Sequence, residues 1–232
     1  MFIKLVKDLV PRKQRSQLTR LLYLSKGRLG MDTSQHKEYE LLRSKVPDDA
    51  HRLVVEVGAY DGITYSSSYP FVHKGWSLIA IEPHPHIYQL LCKTHVGNDN
   101  VTCINMACSN IQGTLPLYIG KGDDTTMLST LDPQTSGALA ERKSGVSVDV
   151  QVDTLTNVLL TNRVPKQFGL LIVDTEGMDF EVLQGLDFSY FHPDVICTED
   201  YELKDAAKAE LLQQQGYAFL TRISCNSIWN RI

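Results

Sequence analysis

The 232-residue chain has no apolar run long enough to cross a bilayer. Its most apolar stretches, residues 53–57 and 170–173, have the length of buried strands. Paired cysteines are also missing. Cys92, Cys103, Cys108, Cys197 and Cys225 are odd in number and scattered, with no CxxC, which excludes a disulfide framework or a zinc knuckle as the organising device. There is no excess of positive charge: the formal net charge of −4 offers no global footprint for nucleic acid. Lys4, Lys7, Asp8 and Arg12 interrupt the apolar residues at the start, so no secretory leader is expected there. Reduced thiols and a cytoplasmic setting are the expectation. Internal repeats and low-complexity tracts are absent.

What is present fits one ordinary globular core, with 43% hydrophobic and 22% charged residues. The charge is unevenly spread. Residues 1–30 hold eight Lys/Arg (Lys4, Lys7, Arg12, Lys13, Arg15, Arg20, Lys26 and Arg28) against Asp8 alone, so a +7 segment precedes a remainder of −11. Leu18, Leu21, Leu22 and Leu24 interleave with these charges as on an amphipathic helix, which Pro11 separates from a shorter first one. This segment reads as a solvated helical cap, or as a helix for an anionic membrane surface or an acidic partner. Residues 35–46 read as a further helix, stopped before Pro47. We therefore divide the chain into a basic N-terminal helical cap, 1–50, and a main domain, 51–232.

From residue 52 onward, short apolar runs rich in β-branched residues alternate with helical patterns. Strands are expected at 53–57, 77–81, 101–106, 168–173 and 195–198, and helices at 87–94, 179–186 and 204–215. Residues 217–223 and 227–231 read as a closing hairpin. This alternation implies parallel βαβ units, hence a doubly wound, mostly parallel, Rossmann-like α/β sheet with a C-terminal antiparallel hairpin and the N-terminal helical cap. Residues 120–146 are polar and read as a long insertion with a partial helix around Ser136 to Arg142.

Several strand ends carry residues suited to chemistry. The first strand runs into Glu56-Val57-Gly58-Ala59-Tyr60-Asp61-Gly62, where Gly58 and Gly62 allow close approach of backbone to a ligand. The spacing is not GxGxxG. It is the E/D-x-G-x-x-x-G form of S-adenosylmethionine sites, in which an acid suits a cationic ligand; a plain strand-to-helix turn would look the same. The second strand ends in Glu82, placed to accept hydrogen bonds from two ribose hydroxyls. The fourth ends in Asp174 and Glu176, and the fifth in Glu199 and Asp200. These acids fit a general base, a hard divalent cation such as Mg²⁺ held by Asp174, Glu199 and Asp200, or simple stabilisation of the helix that starts near Asp179. His84 and His86 follow Glu82, and His86 is the candidate proton acceptor among the histidines.

Taken in order, Glu56 to Gly62, Ile81-Glu82-Pro83-His84-Pro85, Asn105-Met106-Ala107-Cys108-Ser109, Val173-Asp174-Thr175-Glu176-Gly177-Met178-Asp179 and Cys197-Thr198-Glu199 resemble the FkbM-type methyltransferase family. The resemblance covers roughly residues 52–232. It implies a Rossmann-like methyltransferase domain, S-adenosylmethionine as methyl donor, and a hydroxyl acceptor on a small molecule or glycan, such as a sugar or polyketide. It carries donor-binding roles to Glu56, Gly58, Ala59, Tyr60, Asp61, Gly62, Glu82 and Pro83, with Ala107 and Cys108 beside the adenine. Catalytic roles are expected for Asp174, Glu176 and His86. Ile172 and Thr156 depart from the Lys and Asp common at those family positions, and both departures bear on acceptor contacts. A nicotinamide-dependent oxidoreductase and a catalytically silent binding module are the rival readings. The missing GxGxxG argues against the first, and the retained acids against the second.

Overall fold

The computed structural model describes residues 15–120, 129–131, 143–200 and 205–232. The expected break at Pro11, the short helix before it and the partial helix at Ser136 to Arg142 lie outside the described residues. Helix α1 spans Arg15–Arg28 and α2 spans Glu38–Lys45. The second helix starts three residues later than its sequence suggests, because Lys37 sits at φ 66° and the Glu38 carboxylate accepts the His36 N–H.

The main domain then runs β1 (Leu53–Val57), α3 (Tyr69–His73), β2 (Ser77–Ile81), α4 (Pro85–Thr94), β3 (Val101–Ile104), β4 (Ala107–Ser109), β5 (Gly113–Gly120), β6 (Lys143–Thr154), α5 (Leu155–Thr161), β7 (Gln167–Val173), α6 (Asp179–Gln184), β8 (His192–Glu199), α7 (Asp205–Gln214), β9 (Tyr217–Ile223) and β10 (Asn226–Arg231). Local chemistry sets several boundaries. Pro85 opens α4 behind His84, whose ring accepts the His86 N–H, and the Thr154 hydroxyl caps α5 by accepting the Asn157 N–H.

Seven strands form one sheet in the order β3-β2-β1-β7-β8-β10-β9. Neighbours are parallel except at β10, which runs antiparallel to both β8 and β9. The sheet is thus mostly parallel and ends in the expected hairpin, with β10 inserted between β8 and β9. The central strands β1, β2, β7 and β8 are almost wholly buried because both faces are covered. Odd positions of β1 (Leu53, Val55, Val57) pack with Leu155, Leu159, Val182, Leu183 and Leu212 of α5, α6 and α7. Val54 points to the opposite layer, where Leu42, Phe71 and Leu91 of α2, α3 and α4 meet Leu78, Leu170 and Ile228. Among the described residues, no helix is long and apolar enough to cross a membrane.

The third strand is shorter than the expected run to Met106. The Asn105 side chain donates to the carbonyls of Glu82 and Pro83, at 2.8 and 3.0 Å, and turns the chain out of the sheet. The segment beyond it, β4, joins a separate three-stranded sheet, β4-β6-β5, that its polar composition conceals. There β4 is parallel and β5 antiparallel to β6.

Two contacts lock the ends of the central strands. Gly58, at φ 89°, lets the chain leave β1 against the end of β7: a Cβ there would lie 1.8 Å from the Asp174 carbonyl oxygen. At the end of β8, Lys208 of α7 is buried beside Asp200, with Nζ 2.7 Å from the carboxylate, and also donates to the Glu199 carbonyl. Gly58→Ala is expected to cost at least about 2 kcal/mol more than Gly177→Ala. The latter has φ 98° but open space around its Cβ position, leaving roughly 1–2 kcal/mol of backbone strain. Lys208→Ala is expected to cost about 3–5 kcal/mol, since it strands a buried carboxylate. Urea denaturation of the three variants measures both.

Candidate active site

The strand register builds the site. Val57 pairs with Ile81 and with Val173, and Val173 pairs with Thr198, so four parallel strands end at one level. The next residues, Gly58, Glu82, Asp174 and Glu199, form a rim at the carboxyl ends of the strands. There the chain order reverses between β1 and β7, the place where open α/β sheets bind ligands.

Glu82 is held in a backbone clasp. One carboxylate oxygen accepts the Tyr60 N–H at 3.0 Å and the other the His84 N–H at 2.7 Å. Burial nevertheless pushes its carboxyl up to about 8, against those two N–H groups and assisted by the charge of Asp61. Glu56 lies inside β1, fully enclosed, and accepts the Ser68 hydroxyl at 2.6 Å; burial lifts it to about 7. Asp61 turns inward. Its carboxylate accepts the N–H groups of Ile63 and Thr64 and the Thr64 hydroxyl, and Arg20 lies 3.3 Å away. Ala59 is buried in the core, and Gly62 packs against Leu91 and His95.

Asp174 stands at the mouth, open on one side. Its carboxyl is nonetheless held well above the usual carboxylate range. Loss of bulk water within the concave rim is the first cause, followed by the charges of Glu199 and Asp179 and a hydrogen bond shared with Glu199. Carboxylate oxygens of Asp174, Glu176 and Glu199 all lie within 4.8 Å of one another. Asp179 is the brace behind them. One oxygen accepts the N–H and hydroxyl of Thr175, and the other the N–H of Glu199, tying the ends of β7 and β8 together.

A concavity opens between these elements. Of the residues singled out in the sequence, Gly58, Tyr60, Glu82, Pro83, Ala107, Cys108, Asp174 and Glu176 line it. Glu56, Ala59, Asp61 and Gly62 lie behind that wall as its support. His86 projects into solvent from the first turn of α4, outside the concavity. Glu199 joins the acidic rim. Asp200 does not: it points to Lys208, the Ser227 hydroxyl and, at 3.9 Å, Arg222, so it neutralises a buried cation instead of adding to a ligand set. The sequence reading missed Met106, Leu117, Thr130, Leu131, Thr175 and Met178 in the lining. The alternation of Leu115, Leu117 and Ile119 was the available signal for the β5 wall.

Comparison with known proteins agrees with this arrangement. The family model for the methyltransferase FkbM domain matches residues 56–219. A curated relative, the methyltransferase sdnD of Sordaria araneosa, is 31% identical over 158 residues, covering 58% of this chain and 60% of the relative. The match thus spans less than two thirds of the relative's length. Among solved structures, a precorrin-6y C5,15-methyltransferase of Geobacter metallireducens aligns at TM-score 0.45 and 13% identity, covering 86% of this chain and 94% of that one. A fibrillarin/Nop5p complex aligns at TM-score 0.49 and 13% identity, covering 86% and 81%. The family model accounts for most of the chain and for every motif at the strand ends: this protein belongs to the FkbM-domain methyltransferase family.

Proposed function

We propose that the protein is an S-adenosylmethionine-dependent O-methyltransferase acting on a hydroxyl of a small molecule or glycan, of sugar or polyketide type. One observation carries the reading. A single concavity joins a nucleoside-type wall, with Glu82 on one side and Ala107 and Cys108 on the other, to the carboxylates Asp174 and Glu176.

The residues fit the donor. Each Glu82 oxygen accepts only one backbone N–H and keeps a lone pair for a ribose hydroxyl. Met106, Ala107, Leu117 and Leu131 supply an apolar slot of the kind an adenine occupies. The neighbouring acids suit a sulfonium. When bound, S-adenosylmethionine supplies a methyl group already activated for in-line displacement. The chain's own task is then to orient the acceptor oxygen and take its proton. Asp174 fits that role, because its raised affinity for a proton makes it a stronger base than an ordinary carboxylate. Glu199 shares the proton, and Asp179 fixes the distance between the two strand ends. His86, in solvent, has no part in this reading.

A second reading keeps the reaction and adds a hard divalent cation such as Mg²⁺ at Asp174, Glu176 and Glu199. The mutual approach of those three carboxylates favours it. Asp200 is not in this set, since Lys208 occupies it.

Calorimetry is expected to show binding of S-adenosylmethionine and none of NAD. Glu82→Ala should weaken binding roughly 10–100-fold through loss of charged acceptors. The raised Glu82 carboxyl sets the pH dependence. Because its folded-state value lies above the ordinary 4.5, its contribution to stability is full below about 4.5 and is lost as pH rises through about 8. Ribose hydroxyls bond to the ionised form, so donor binding at pH 7 should release protons. The donor-induced rise in melting temperature should grow between about pH 6 and pH 9. Identical profiles for wild type and Glu82→Gln would remove Glu82 from the donor site. Once an acceptor is turned over, full activity of verified metal-free enzyme rejects the cation reading. Activity that returns only on adding Mg²⁺, Mn²⁺ or Ca²⁺ supports it.

A further inference from the structure

The family match begins at residue 56, so α1 and the chain that follows it lie outside the conserved domain. Besides contacts from His36 and Glu38 to the β9–β10 hairpin, several of their contacts fall on the loop of residues 60–69 that continues the turn after β1. The Arg20 guanidinium reaches into it from mid-helix. Nε lies 3.3 Å from the Asp61 carboxylate, while a terminal nitrogen donates to the Thr94 hydroxyl at 2.7 Å and the Leu90 carbonyl at 3.2 Å. The Thr94 hydroxyl in turn donates to the Asp61 carbonyl at 2.6 Å. One guanidinium therefore ties α1, the end of α4 and the turn into a single network.

The rest of the segment repeats the pattern. The Tyr23 ring meets Tyr65 edge-on with centroids 5.0 Å apart, and the Thr33 hydroxyl donates to the Ser66 carbonyl at 2.8 Å. At Gly27 a Cβ would fall 2.5 Å from the Tyr69 ring and 2.8 Å from the Ile63 side chain, so the helix backbone itself rests on the loop. Asp61 is almost fully enclosed, with its side chain only 3% exposed, and Arg20 is the cation that offsets its charge. That charge acts on Glu82, which it repels, and on the His95 ring, whose protonated form it favours.

We propose that Arg20 is a positioning residue for the methyl donor. By neutralising and anchoring Asp61 it holds the Gly58–Gly62 turn, and the Tyr60 N–H that clasps Glu82, in the geometry that receives the donor. This deepens the donor-site reading above and rests on it. The basic helix is then more than a solvated cap: at least one of its cations is committed inward, so α1 belongs to the donor site although the family domain does not include it.

The test compares full-length wild type with Arg20→Met, Arg20→Lys, Asp61→Asn and the Arg20→Met/Asp61→Asn pair. Donor affinity is read by calorimetry, and amide exchange by mass spectrometry over residues 60–66. Arg20→Met is expected to weaken S-adenosylmethionine binding roughly tenfold and to speed exchange at Ile63 and Thr64. Arg20→Lys keeps the charge but cannot reach Asp61, Thr94 and Leu90 together, so it should recover only part of the affinity. The double variant should lose less than the sum of the singles, because no buried charge is left unpaired. In turnover assays the donor KM should move more than kcat. Folded Arg20→Met protein with donor affinity within twofold of wild type overturns the proposal, as does a cycle without coupling. If Arg20→Met does not fold, the Lys variant decides by the same affinity criterion. If wild type binds no donor, the donor reading fails, and exchange at residues 60–66 in the ligand-free variants still decides whether Arg20 holds the loop.

Discussion

Four parallel strands that end in register are the constraint from which the site follows. Once Val57, Ile81, Val173 and Thr198 lie side by side, the residue after each must emerge at one level, about 4.8 Å from its neighbour. Three of those four next residues are acids and the other is glycine. Each acid needs a different device to be tolerated there. Glu82 has two backbone N–H groups, Asp174 has a share of the proton it divides with Glu199, and Glu199 has Asp179 fixing its backbone. Glycine is required at the fourth place because β1 and β7 are immediate neighbours whose chains leave toward opposite faces. Any side chain at 58 would collide with the Asp174 carbonyl.

The acids divide into structural and reactive ones according to who satisfies them. Asp61, Asp179 and Asp200 have carboxylates engaged by Arg20, by N–H groups and hydroxyls, and by Lys208. Asp61 and Asp200 are offset by cations, and Asp179 is satisfied by hydrogen bonds although burial still raises it; the work of all three is to hold loops and strand ends. Among the described residues Glu56, Glu82 and Asp174 have no cation beside them, and loss of bulk water leads the causes that raise all three. A cluster of carboxyls that resist ionisation in the free protein gains from a cationic ligand twice over. The ligand's charge lowers the cost of ionising them, and their ionisation strengthens its hydrogen bonds. A sulfonium donor has this property; a nicotinamide dinucleotide, with its pyrophosphate, would add negative charge to the same rim.

Much of this was legible in the sequence because the signals were local. β1 and β2 have the predicted bounds, since each is a short, largely apolar run closed by a glycine turn or by Glu82-Pro83. The order of acids and glycines at strand ends was readable without knowing the strand order. Partnership at a distance was not readable. Glu199 and Asp200 are adjacent and chemically alike, yet strand alternation sends one to the rim and the other to Lys208, which lies on the next helix. His86 followed Glu82 closely enough to suggest a base, but the first turn of α4 carries it outward. The β4-β6-β5 sheet was hidden for a different reason. Its strands are half exposed and end in polar segments, so they lack the continuous apolar pattern that marks the central sheet.

The second sheet lines the concavity, whereas α1 reaches it only through the turn after β1, and the two are held by different kinds of contact. β5 and the residues beyond it place Leu117, Thr130 and Leu131 in the wall, and their apolar neighbours Ala107, Val150 and Val152 form a small core of their own. That core is separate from the two layers flanking the main sheet. The α1 flank is the reverse case. Its contacts run through charge pairing and hydroxyl bonds to backbone carbonyls, with geometry that tolerates little change. The second sheet supplies apolar residues of the slot proposed for the adenine, so its separate core shapes the donor wall. The α1 contacts brace the turn that carries the Tyr60 N–H to Glu82. Asp174 and Glu176 line the remainder of the same concavity, the part that the proposed reading leaves to the acceptor.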